Sequence, residues 1–63
     1  MYTNSEILQA ILASKGLNVH KIHVAMNKSG EVYRAFKNNH FSANFIRKLE
    51  EIVGEDLSIF INC

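Results

Sequence analysis

The chain has 63 residues, 48% of them hydrophobic, with no proline, one cysteine and a formal net charge of +1. This length specifies one domain, 1–63, and buries only about 60% of the unfolded surface, so apolar positions are committed to a core. Disorder, a membrane span and a disulfide or cysteine-rich zinc framework are excluded, and with no charged-then-apolar leader a soluble intracellular protein is expected.

The first helix is predicted over about residues 4–15. Thr3 and Glu6 are spaced as a capping box, Tyr2 stands where it can staple onto Ile7, and Ile7, Leu8, Ile11 and Leu12 keep the helical rhythm. Gly16 ends the helix in a left-handed conformation, with Lys15 complementing its negative end. Asn18 caps a second helix, 19–26, whose stripe is Val19, Ile22 and Met26, with His23 on the stripe and Val24 and Ala25 beside it. Asn27-Lys28 form a tight turn, Asn27 being suited to a left-handed conformation. Ser29 caps a third helix, 30–38, predicted to bury Tyr33 and Phe36 and to turn Glu31, Arg34, Lys37 and Asn38 to solvent.

Asn38-Asn39-His40 make a polar loop, and Ser42 caps a fourth helix over 43–53. Its apolar face is Phe45, Ile46, Leu49, Ile52 and Val53, opposite Arg47, Lys48, Glu50 and Glu51, and Gly54 stops it. The short apolar tail 57–61 is compatible with a fifth short helix or an extended segment. The fold class is an all-α bundle of four to five helices, without repeats or linkers.

The modest net charge hides a strong asymmetry. Residues 15–48 hold all seven basic side chains against one acid, Glu31, for a local +6, while residues 49–63 carry Glu50, Glu51, Glu55 and Asp56. One cationic face with an acidic tail held away from it is the pattern of a nucleic-acid binder. The spacing agrees with a helix-turn-helix: apolar residues four apart in the second helix (Ile22, Met26), an immediate turn, then buried positions seven and ten residues further on (Tyr33, Phe36). The third helix then offers base contacts. Arg34 can pair with guanine O6 and N7, Asn38 with adenine, Glu31 with cytosine N4 and Val32 with a thymine methyl. Lys21, Lys28, Ser29 and Lys37 suit phosphate contacts. The plain alternative is a small bundle whose polar third helix is merely solvated.

These residues resemble the lambda repressor/Cro-like (XRE-type) helix-turn-helix family over roughly residues 6–60. The resemblance lies in Gly16-Leu17 opening the motif, Met26 ending the second helix, Ser29 capping the third, the pair Tyr33 and Phe36, and the Asn38-Asn39 loop. The fourth helix ending Leu-Glu-Glu-Ile-Val before Asp-Leu-Ser-Ile-Phe is similar to the family's last two helices. It implies a lambda-repressor-like bundle and a transcriptional regulator of the prokaryotic cytoplasm or a phage-infected host, repressor or activator. Four positions depart from the family, the mildest being Asn27 in place of the turn glycine. His23 replaces a small residue, usually alanine, and so implies wider packing or a rotated helix. Lys28 replaces an apolar turn residue, and Val19 replaces the glutamine that often touches DNA.

Other chemistries find little support. His20 and His23 have a spacing that can chelate a metal, but no second ligand cluster accompanies them, so no metal or other cofactor is expected. No nucleophile has a base, and Glu50-Glu51 occupy adjacent helix positions that cannot converge on a small-molecule substrate, so an enzyme is not expected. Cys63 is expected to be an unconstrained thiol. The expected partner is a double-stranded DNA operator, bound by a homodimer joined through Leu57, Ile59, Phe60 and Ile61; the alternative for the tail is that Leu57 and Phe60 simply cap the core. The alternative is a protein-interaction module on the same scaffold, such as an antirepressor.

Overall fold

The computed structural model describes residues 2–61; the expectation for Cys63 lies outside them. Four α-helices follow one another: α1 (Asn4–Ser14), α2 (Val19–Ala25), α3 (Gly30–Asn38) and α4 (Ala43–Val53). A 3-10 turn, Ser58–Phe60, closes the described chain. No strand occurs among the described residues. The architecture is therefore a small all-α bundle, with helix limits within one residue of those expected.

Local chemistry explains the limits. The Thr3 hydroxyl accepts the Glu6 N–H at 3.2 Å and the Glu6 carboxylate accepts the Thr3 N–H at 3.0 Å, the reciprocal pair of a capping box. Asn18, Ser29 and Ser42 cap the other three helices through their side-chain oxygens. Left-handed residues stop them: Gly16, Asn27, Asn39 and Gly54. After α1, α2 and α3 the N–H of the following residue returns to a carbonyl five positions back, Leu17 to Leu12, Lys28 to His23 and His40 to Ala35. Lys28 is left-handed too, at φ 58°, an unfavourable setting for a lysine.

The core takes Leu8 and Leu12 from α1, Ile22 from α2, and Val32, Ala35 and Phe36 from α3. From α4 and beyond come Phe45, Ile46, Leu49, Val53, Leu57 and Phe60. Phe41, just after the polar loop, is completely buried, its ring 5.3 Å from Phe36 and 6.0 Å from Phe45. It precedes the α4 cap, and Ile46, also completely buried, sits at the fourth helical position, the arrangement of a hydrophobic staple. The staple expected at α1 does not form, because Tyr2 is 76% and Ile7 41% exposed.

A polar clasp sets the tilt of α3. The Asn39 Oδ1 accepts the Ser5 N–H at 2.8 Å, and the Ser5 hydroxyl donates to the Phe36 carbonyl at 2.9 Å. The start of α1 is thus bonded to the end of α3, and Ser5 is a buried polar residue whose groups are satisfied. At the other end Glu50, expected to face solvent, accepts the Leu57 N–H at 2.8 Å and folds the tail back onto α4.

Two expectations about packing are corrected. Tyr33 does not enter the core; Val32 does, completely, beside the expected Phe36, so the inward place passes to the preceding residue, about 100° around the helix. The cause lies across the seam, where the half-buried His23 ring lies 4.5 Å from the Tyr33 ring with its Nδ1 3.0 Å from the Ser29 carbonyl. With an imidazole filling the seam, the small Val32 fits inward and the phenol, which needs a hydrogen-bond partner, turns outward. The second correction concerns the tail: Leu57 and Phe60 are 2% and 4% exposed and belong to the monomer's own core.

Candidate nucleic-acid interface

Arg34 and Lys37 rise from α3 on the side opposite Val32, Ala35 and Phe36, and Gly30 shares that side. All three are exposed. Glu31 and Asn38 border the ridge on one flank, and Tyr33 borders it on the other. Nine residues make α3 about 13 Å long, comparable with the roughly 12 Å width of a B-DNA major groove. Gly30 has no φ that calls for glycine, and an added Cβ would meet nothing within 4 Å. The fold does not need a glycine there, whereas a surface approaching α3 closely would benefit from one.

On the Glu31 and Asn38 flank, a groove of about 300 Å³ runs between α3 and the start of α4, lined by Glu31, Arg34, Asn38, His40 and Ser42 with Ala35 and Phe45 at its floor. It brings together three of the four expected base-contacting residues. The fourth, Val32, is withdrawn, since a completely buried side chain cannot meet a thymine methyl. His40 joins them unannounced; the register of α3 against α4, absent from local sequence, decides its place.

On the opposite flank the Tyr33 hydroxyl lies 3.0 Å from His20 Nδ1, linking α2 to α3 at the surface. Neither residue was among the expected contacts. The signal available beforehand was the imidazole at position 23, which implied a rotated helix.

The expected phosphate contacts separate by how they are held. Lys28 and Lys37 are exposed and join no ion pair among the described residues. Lys21 donates its ammonium to the Gly16 carbonyl at 3.0 Å and so completes the end of α1. Ser29 is half-buried, its hydroxyl accepting the Glu31 N–H at 3.3 Å. Far from α3, Lys15 pairs with Glu55. The Asp56 carboxyl is held below its ordinary 3.8 by the Ser58 N–H, then by the Ser58 and Glu50 side chains.

A third surface lies at the tail. Ile59 is 83% exposed and, with Ile7, Ile11 and Phe60, lines an open apolar groove of about 470 Å³ rimmed by Lys15, Glu55 and Asp56. Of the four residues expected to join two copies, only Ile59 is fully presented there; Ile61 is half-buried. Among the described residues no three metal-ligating side chains converge, and no helix is long and apolar enough to cross a membrane. No protein-family model matches the chain, and neither does any curated protein or solved structure.

Proposed function

We propose that the chain is a sequence-specific, double-stranded DNA-binding transcriptional regulator of the lambda repressor/Cro type, in which α2, the turn and α3 act as a helix-turn-helix. The supporting observation is the division of α3: Val32, Ala35 and Phe36 hold it to the core while Arg34 and Lys37 project from the opposite side, beside Glu31 and Asn38. In this reading Arg34 takes a guanine, Asn38 an adenine and Glu31 a cytosine amino group, with Lys28 and Lys37 on phosphates. Two copies bind half-sites about 34 Å apart, meeting through the groove that presents Ile59. The task is binding alone, in a prokaryotic cytoplasm or an infected host cell, with no reaction and no cofactor.

The test is titration with bulk duplex DNA at two salt concentrations, followed by selection from a random duplex pool. Steep weakening with salt and a recovered palindromic site support the reading. Absence of binding at low salt overturns it. The second reading, a protein-interaction module, draws on the apolar groove around Ile59, a surface of the kind that binds protein.

A further inference from the structure

His20 and Tyr33 have no task in the reading above. Both are exposed, they belong to different helices, and their polar atoms meet at 3.0 Å. The core does not require this pair, since Val32, Ala35 and Phe36 already supply the packing face of α3. The Tyr33 ring is further fixed against His23, whose own Nδ1 is engaged by the Ser29 carbonyl. An exposed phenol held from two sides is set in one position before anything binds.

We infer that His20 and Tyr33 form a single DNA-backbone clamp, a phosphate contact on the α2 flank of α3. The inference rests on the DNA-binding reading and deepens it by assigning which flank of α3 lies over the sugar–phosphate chain. With the Nδ1 proton on His20, the imidazole donates to the phenol oxygen, and the phenol turns its own proton outward to a phosphate oxygen. Lys37, one turn beyond Tyr33 on the same helix, adds an ammonium to this flank. The opposite flank differs in kind, because the Glu31 carboxylate repels phosphate and suits a base amino group. Fixing the phenol beforehand reduces the side-chain ordering that binding otherwise requires.

The experiment compares the parent, Tyr33→Phe, His20→Ala and the double variant on a random duplex pool and on the duplex selected from it. Tyr33→Phe keeps the ring on His23 and removes one hydroxyl. Its expected effect is about fivefold weaker binding to every duplex, with the selected sequence and the salt slope unchanged because no charge is lost. His20→Ala should give a similar loss, and the double variant no more than either single change, as for two parts of one unit. Parent-like binding by Tyr33→Phe, additive losses or an altered sequence preference would each overturn the clamp while leaving α3 as the reader. Failure of the parent to bind any duplex at low salt overturns the clamp together with the reading beneath it.

Discussion

The scaffold of α1, α4 and the tail treats its charged groups differently from the α2–α3 unit. In the scaffold several bond within the chain: Glu6 closes the α1 cap, Glu50 holds the Leu57 N–H, Lys15 pairs with Glu55, and Asp56 accepts the Ser58 N–H, while Arg47, Lys48 and Glu51 of α4 stay exposed. In the α2–α3 unit Lys28, Arg34 and Lys37 are exposed and join no ion pair among the described residues. The unit also accepts an unfavourable left-handed lysine and exposes Tyr33 and Val24. The contrast is one of degree: the scaffold uses Glu6, Glu50, Glu55, Asp56 and Lys15 to hold itself together, while Lys28, Arg34 and Lys37 take no such part among the described residues.

The strongest challenge to that division is a core truncation in the loop between the two halves. Phe41→Ala should cost about 3–5 kcal/mol in urea denaturation, enough to unfold a domain this small. A loss below about 1 kcal/mol would mean that the Phe36–Phe41–Phe45 cluster does not join the halves. Removing residues 57–61 belongs to the same class. Because Leu57 and Phe60 are buried, the truncated chain should lose its cooperative transition, whereas Ile59→Lys should keep the fold and give monomers in sedimentation.

Next in size is the clasp. Asn39→Ala combines the loss of the acceptor for the Ser5 N–H with a left-handed alanine, for a loss of about 2–3 kcal/mol. Asn39→Gly removes the side chain without the left-handed strain and should cost about 1 kcal/mol. Equal losses would show that backbone strain plays no part.

Smaller effects on stability are expected in the α2–α3 unit. Arg34→Ala should change stability by less than about 0.5 kcal/mol yet weaken binding to the selected duplex by about 1–3 kcal/mol, with specificity relaxed at one position. A fall in stability instead, with binding retained, would place Arg34 in the scaffold. Gly30→Ala should leave the melting temperature unchanged or slightly raised, because nothing lies near the added Cβ. Weaker DNA binding by that variant would place the backbone of α3 against the duplex.

The mildest perturbation is acid. The Asp56 pKa is lowered in the folded chain, chiefly by the Ser58 N–H, so its contribution is present above the ordinary carboxylate value and lost as pH falls through the lowered one. Below about pH 3.8 the Ser58 turn should loosen, and Asp56→Asn should remove that pH dependence. Amide exchange at Ser58 is the direct measurement. An unchanged profile in the variant would mean that Asp56 does not hold the turn.

Much of this molecule is decided within a few residues along the chain. The caps at Thr3, Asn18, Ser29 and Ser42 follow from side chains reaching their own neighbouring backbone, and the helix ends from residues that tolerate a left-handed conformation, Gly16, Asn27 and Gly54, so both were legible in advance. So were three of the residues gathered beside α3, Glu31, Arg34 and Asn38, because helical spacing alone puts them away from Phe36. The tertiary structure decided what depends on partners distant in sequence. The choice of Val32 over Tyr33 as the inward residue goes with an imidazole ten residues earlier, against which the Tyr33 ring lies at the half-buried edge of the seam. Phe41, Leu57 and Phe60 are buried against residues of α1 to α4 that come together only in the folded chain, and the Asn39–Ser5 bond spans 34 residues. Local hydrogen bonding writes the helices, and competition for a limited interior sets which of their faces remain outside.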